Sequence, residues 1–395
     1  MRMAQRRSDL PPFRNADAST CLPSSPQAPV VSWEWGGIEM VDRFADEWRD
    51  LCRQGSGNQP FFQPEWIRAF LCAFALRARL LLITVRVAGR LAALLPLIER
   101  RQVMFGLPVK VLASPTNIHS YRFDLVARGD ADGQAAVRAV WDSFREHREW
   151  NLIALDYVPE DGLLPHLVDL ARRQGFPTAR ADSFASPYFS LTGFMGDWDS
   201  WLSNLKGDFR RELRRRARKL AAEGEVRLRR LDHADRALLA RFYELEASGW
   251  KSDEGTAITC DPSTRRFYDE VAAAASRLGY FSLYFLEVGG RPIAGHFGLT
   301  HGNRYFVPKL AFDEQYSAFA PGHLLVSAVA RDCAERGVVE FDFLGAQMEW
   351  KACWTSLARG LQSLYIFGDD RFGRTLHAAK FGVKSAVKRL LGRTE

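Results

Sequence analysis

Apolar and polar positions recur along this chain at two periods, near two and near 3.6 residues, and reading them in order gives a sequence of strands and helices. The pattern predicts a strand near 31–35, a helix near 39–53 and a helix after Pro64. Three apolar runs follow, Leu80–Val87, Leu91–Glu99 and Val103–Ala113, the first two joined by a tight turn at Gly89. A helix near 132–148, a strand Leu152–Tyr157, a helix near 162–173 and a strand near 178–191 complete this half.

The same order then comes again. It is preceded by a helix on which Leu202, Leu205, Phe209, Leu213, Ala217 and Leu220 form one stripe, stopped by Gly224. A strand near 225–231, a helix 233–249 and a helix after Pro262 are followed by strands Tyr280–Val288, Pro292–Thr300 and Arg304–Phe312. Then come a helix from Pro321 to about Glu335, a strand Val339–Phe343, a short helix near 349–355 and a strand Gln362–Gly368. Val87-Ala88-Gly89-Arg90 at the first hairpin is echoed by Val288-Gly289-Gly290-Arg291 at the second. Repetition of element order points to a duplicated unit. The expected domains are 31–195 and 196–370, preceded by a disordered Pro-, Ser- and Arg-rich arm (1–30) and followed by a basic amphipathic helix (371–395).

Length and composition agree with two domains, since 395 residues at 47% apolar can build sizeable cores. No apolar run approaches the length of a membrane span, and no apolar h-region follows the N-terminus, so neither a spanning helix nor a signal peptide is expected. The six cysteines form no C-x-x-C pair and read as reduced thiols of a cytoplasmic protein. No H-x-E or H-E-x-x-H spacing exists, so no metal is expected.

Charge changes the picture more. Residues 206–230 hold eleven Lys/Arg against four Asp/Glu, and residues 371–395 hold seven against one, in a chain whose net charge is +7. The body is therefore mildly acidic and carries two basic elements suited to anions. Lys380, Lys384 and Lys388 form a row on the tail, which could rest on an anionic membrane surface or dock on its own protein. The basic helix has no helix-turn-helix partner, so sequence-specific DNA binding is not expected.

The order β-α-α-β-β-β-α-β-α-β is that of the GNAT acyltransferase fold, and the second half resembles the acetyltransferase domain of CelD-like cellulose-biosynthesis proteins, relatives of the FemABX aminoacyltransferases. The residues carrying the resemblance are Arg210–Leu220, Gly249-Trp250-Lys251, Gly255–Ile258, Phe267-Tyr268, Lys309, Tyr316, Pro321-Gly322, Asp342–Gly345, Lys351 and Trp354. It implies a mixed α/β architecture of two tandem GNAT-like units, each a mixed β-sheet flanked by helices. It also implies an acetyl-CoA or other acyl-CoA donor, and a saccharide or envelope-polymer precursor whose amine or hydroxyl accepts the acyl group. The alternatives are aminoacyl transfer from aminoacyl-tRNA, with the 210–230 run as phosphate-binding surface, and a non-catalytic scaffold recruited to a membrane or synthase complex. The expected location is the cytoplasm, at the inner face of the membrane if the tail meets lipid.

Pro321-Gly322 opens an apolar helix whose first-turn amides suit a pyrophosphate, and Gly322 offers close approach. By the resemblance, pantetheine runs between splayed strands 304–312 and 339–343, giving Lys309, Tyr316, Ser317, Gly322, His323 and Leu324 as donor-binding residues. The equivalent loop of the first half carries Asp130 and Asp132, which would repel a pyrophosphate. His296, in the middle strand, is either a proton acceptor or a satisfied core histidine. Asp342, at a strand end, either orients or deprotonates the acceptor, or makes a structural ion pair with Lys351 or an arginine. Lys351 is expected at an oxyanion or a donor phosphate. Trp250, Lys251 and Arg210 are the expected acceptor-binding residues, Trp250 serving either as a stacking face or as core.

Overall fold

A computed structural model describes residues 28–55, 57–248 and 257–382. Trp250, Lys251 and the end of the basic tail lie outside these residues, as does nearly all of the N-terminal arm.

The first half contains β1 (Val30–Gly36), α1 (Ile38–Gln54), α2 (Pro64–Phe74), β2 (Arg79–Val87), β3 (Arg90–Met104), β4 (Leu107–Ala113), β5 (Val126–Ala127), α3 (Ala131–Glu146), β6 (Leu152–Pro159), α4 (Leu164–Arg173) and β7 (Thr178–Ser190). A short α5 (Trp198–Leu202) and the basic α6 (Gly207–Glu223) lead into the second half. There follow β8 (Val226–Leu231), α7 (Arg236–Ala247), α8 (Pro262–Arg277), β9 (Phe281–Val288), β10 (Arg291–His301), β11 (Arg304–Phe312), α9 (Pro321–Glu335), β12 (Glu340–Asp342), α10 (Glu349–Ala352), β13 (Ala358–Phe367) and α11 (Arg371–His377). The run expected as one strand over Val103–Ala113 is divided by a turn at Phe105 and Gly106, both with positive φ, so β3 and β4 form a second hairpin. At the matching first hairpins the positive φ values fall on Ala88-Gly89 and Gly289-Gly290, the backbone that a two-residue turn between twisted strands requires.

The two mixed sheets join into one. Strand order is β1-β2-β3-β4-β6-β13-β7-β12-β11-β10-β9-β8, with β5 beside β3. The halves exchange their last strands: β13 of the second lies between β6 and β7 of the first, and β7 pairs in turn with β12 of the second. Phe189 of β7 stacks on Phe341 of β12 at 4.8 Å, which fixes the join by ring packing. The segment 358–367 therefore completes the first half's sheet, and the boundary near residue 195 does not separate two self-contained sheets.

Three apolar cores result. One lies between the first half's sheet and α3 and α4, built around Trp141, Phe144 and Leu167. Another packs α6 and α9 on the second half's sheet around Tyr305, Leu325 and Phe341. The third is shared, since Trp48, Trp66 and Phe70 of α1 and α2 meet Phe242, Phe267 and Tyr268 of α7 and α8. Burial at about 1.5–3 kcal/mol for each large apolar side chain makes this shared core a strong tie between the halves.

Candidate active site

Beyond the sheet's centre β11 and β12 part company. They run parallel and pair only at Arg304–Glu340, Tyr305–Phe341 and Phe306–Asp342. β12 then ends while β11 continues to Phe312. Against β10, β11 slips register between its pairs at Phe306 and Lys309, so Val307-Pro308 forms a bulge. A bulge re-aims the strand and is common beside binding sites.

The end of β11 points to the start of α9. Ala320, at φ +47, precedes Pro321, and no side chain caps the helix. A Cβ on Gly322 would lie 3.6 Å from Leu310 and 3.7 Å from Phe312, an ordinary contact. Protein packing therefore does not demand glycine there; the His323 and Leu324 amides donate to the Ala320 carbonyl at 3.0 and 3.2 Å, which leaves the Gly322 amide, beside a bare Cα, as the approachable one of the first turn. Helix α6 covers the same end: Phe209 meets the rings of His323 and Trp354 at 5.1 and 5.2 Å, and Trp354 Nε1 donates to His323 Nδ1 at 3.0 Å. Burial, with the nearby Arg216 guanidinium, lowers the His323 pKa and keeps the ring neutral. Arg210, an expected acceptor-binding residue, and Arg216 both belong to this basic helix. Tyr316 and Ser317 lie in a 3-10 turn before α9, with the Arg291 guanidinium 5.8 Å over the Tyr316 ring. Leu324 is buried in the core beneath it.

On the opposite face of β11 a polar cluster forms between the halves. Lys309 Nζ lies 3.7 Å from Glu246 at the end of α7 and 5.5 Å over the Tyr268 ring of α8. Tyr268 Oη is 3.3 Å from Tyr121 Oη and 3.3 Å from His119 Nδ1, and His119 Nε2 is 3.4 Å from Thr264 Oγ1. Tyr121 donates to the carbonyl of Pro308, at the bulge itself. Burial and the Lys309 charge lower the His119 pKa to about 4, so its ring is neutral at ordinary pH. His119, Tyr121 and Glu246 escaped the sequence reading. The one available signal was the element-free stretch 114–130, too long for an idle connection.

Asp342 is wholly buried. Its Oδ2 accepts from Arg122 at 2.5 Å and from Arg359 at 3.2 Å, and its Oδ1 from the Leu344 amide at 2.9 Å. Arg122 comes from the first half and Arg359 from the exchanged strand, so this ion pair joins all three parts. Lys351 Nζ donates to the carbonyls of Leu344 and Ala346 at 2.7 and 2.8 Å, holding the turn after β12. Burial lowers its pKa to about 8, against the opposing pull of Asp342. His296 is fully buried beside Tyr305, whose Oη lies 3.4 Å from its Nδ1, and its pKa falls by desolvation to about 3. Gly298 makes that meeting possible, because a Cβ there would stand 2.3 Å from the Tyr305 hydroxyl. Asp342 and Lys351 both bond Leu344, at its amide and its carbonyl, His296 packs against Phe341 at 6.2 Å, and Lys309 joins a cluster the sequence did not foresee.

Residues 207–352 match the family model of the acetyltransferase (GNAT) domain. These residues are similar to a GNAT acetyltransferase domain, which supports an acyltransferase. The matched stretch runs from α6 to α10, so the GNAT domain holds the bulged β11, the uncapped α9 and Lys351. No curated protein matches the chain in sequence. Among solved structures it is similar to FemX at 13% identity, with 88% of this chain and 100% of that chain covered and a TM-score of 0.56. It is also similar to the C-terminal domain assigned to a lysylphosphatidylglycerol synthetase from Agrobacterium fabrum (13% identity, 86% and 97% covered, TM-score 0.51). A conserved protein from Bacteroides thetaiotaomicron aligns at 11% identity over 86% and 100% with a TM-score of 0.52. At these identities the likeness concerns the fold, and it extends over both halves. Among the described residues no helix is long and apolar enough to cross a membrane, and no group of His, Cys, Asp or Glu is placed to hold a metal ion.

Proposed function

We propose that the chain moves an acyl group, acetyl in the simplest case, from acyl-CoA to an amine or hydroxyl of a saccharide or envelope-polymer precursor. The observation that carries this reading is the parting of β11 from β12 where the uncapped start of α9 meets the end of β11. The Gly322 amide and the positive end of α9, with Arg216 and Arg210 of α6, suit the diphosphate, and the widening gap suits the pantetheine arm. The acceptor enters on the other face, against Lys309, Glu246, Tyr268 and His119. The CelD-like resemblance supports a saccharide as its class.

The acceptor's nitrogen or oxygen bonds to the thioester carbonyl carbon as the carbon–sulfur bond breaks. Neutral His119 takes the proton the nucleophile loses, held by Tyr268 and Thr264 in a fixed orientation, and returns it to the leaving sulfur. Buried in the opposite core, His296 is less suited to that task. Asp342 and Lys351 act by holding the turn after β12 in place. Calorimetry tests the donor assignment: acetyl-CoA and CoA should both bind the folded protein, and no heat at about millimolar ligand removes it.

The arginines of α6 favour one second reading, an aminoacyl-tRNA donor. A gel shift with charged tRNA should then weaken steeply with salt. Association with the cytoplasmic membrane face through the basic tail is part of the proposal and is read by vesicle sedimentation. Full cellular function after His119→Gln would instead favour a scaffold.

A further inference from the structure

The β3–β4 hairpin reaches past the rest of the sheet. β2 pairs with β3 only as far as Arg79–Glu99, and β6 pairs with β4 only from Leu152–Val111 onward. Residues 100–109 therefore form a ribbon whose two strands pair with each other alone among the described residues. Such a ribbon is marginally stable in water without a packed face. Its end is apolar: Val103, Phe105 and Leu107 are 74%, 61% and 41% exposed. Phe105 is also unfavourably placed. With Gly106 it makes the two-residue turn, at φ +52 and +79, where Asn-Gly is the preferred pair and a bulky side chain is strained. Packing within the protein does not offset that strain, since most of the side chain faces water. Cations follow directly behind the apolar end. Arg100 and Arg101 are exposed, and Arg79 and Lys110 stand at the ribbon's foot, four cations against the two carboxylates Glu99 and Glu149.

An apolar end with cations one step behind it matches the depth profile of an anionic bilayer, where the acyl boundary lies beneath the phosphates. Val103 and Arg101 are two residues apart, about 7 Å along a strand. Interfacial elements bury their apolar part to a similar depth, about 5–10 Å. A second copy of this chain fits less well, because it would set one group of cations against another. The end of the chain also leaves the sheet on this side. Phe367, the last residue of β13, pairs with Leu152, and Leu152 pairs with Val111 at the foot of the ribbon. Helix α11, with Arg371 and Arg374 exposed, therefore starts from the ribbon's end of the sheet. We propose that the β3–β4 hairpin inserts its tip into an anionic lipid surface, Val103, Phe105 and Leu107 entering the acyl boundary while Arg100 and Arg101 meet lipid phosphates. This adds a second contact to the membrane association proposed for the basic tail, and it stands without that one.

Sedimentation of the full chain with vesicles of phosphatidylglycerol and phosphatidylcholine tests this. Vesicles rich in phosphatidylglycerol should bind it, and pure phosphatidylcholine should bind it at least about tenfold more weakly. Phe105→Asn should weaken binding by about tenfold or more through lost apolar burial. The urea midpoint of that variant should hold or rise, because asparagine suits the turn. Arg100→Ala should weaken binding by about fivefold. Lys384→Glu with Lys388→Glu reads the tail separately. Binding that this pair abolishes and Phe105→Asn leaves unchanged overturns the hairpin's part and keeps the tail's. No binding to either vesicle at about millimolar lipid overturns both. Concentration-dependent dimers that Phe105→Asn dissolves, without vesicle binding, would give the tip to a second copy and overturn the proposal.

Discussion

The two halves share one hairpin frame and differ at a single place within it. In the second half, β10 pairs Leu299 with Phe306 and then Gly295 with Ala311, and only residues 307–310 lie between the two partners. In the first half, β3 pairs Ile98 with Ala113 and then Leu94 with Val126, so residues 114–125 occupy the same interval. A compact bulge in one repeat is a long excursion in the other. That excursion crosses to the second half, places Tyr121 on the bulge carbonyl, His119 on Tyr268 and Arg122 on Asp342, and returns as Phe123 bonds Tyr157 beside β6. The following helix differs as well. Asp130 caps α3 by accepting from the Gly133 amide, and Arg128 pairs with Asp130, while α9 has no side-chain cap. One repeat keeps the compact bulge and the uncapped helix, and the other supplies side chains to its neighbour's polar cluster.

The comparison breaks most severely if the exchanged strand is removed. Ending the chain after Leu357 takes β13 from between β6 and β7, and cooperative urea unfolding should be lost in both halves. Arg122→Ala leaves Asp342 with one guanidinium in a buried setting, and should cost about 3–5 kcal/mol in denaturant titrations. His119→Gln should keep the fold and lower kcat/KM by roughly 10²–10⁴-fold. Acid acts on both repeats at once. His119 and His301 are held at about 4 and His296 at about 3, all by burial. Their folded pKa values lie below the unfolded value of about 6.5, so the unfolded chain binds more protons and stability falls as pH drops from there. Asp124, raised to about 6 by burial, works the other way and loses its contribution as pH rises through the same window. Three histidines against one carboxyl should leave a net loss on the order of 5 kcal/mol between pH 7 and 4.5, read from urea midpoints.

Most of the element order was legible because burial of one face imposes a period on each strand and helix. The hairpin turns and the helix starts at Pro64, Pro262 and Pro321 were legible for local reasons, since φ restrictions act within two residues. Strand exchange was not, because alternation in 178–190 and 358–367 says which face is buried but not which neighbour pairs. The site was readable only in part. Pro321-Gly322 announces itself locally, whereas His119 and Tyr121 matter through contacts with Tyr268 and Pro308, well over a hundred residues away. Asp342 was legible only halfway: a charge in an apolar strand needs a partner, yet the partner, Arg122, lies on the other repeat.

The central claim is that only the second half holds the donor, and titration calorimetry with acetyl-CoA on paired glycine variants tests it most directly. A side chain fits the protein at both positions, with nothing nearer than 3.6 Å at Gly322 or at Gly129, its counterpart before α3. The expected result is one site per chain, lost in Gly322→Val and unchanged in Gly129→Val. Two sites per chain, or a site lost with Gly129→Val and kept with Gly322→Val, would contradict it.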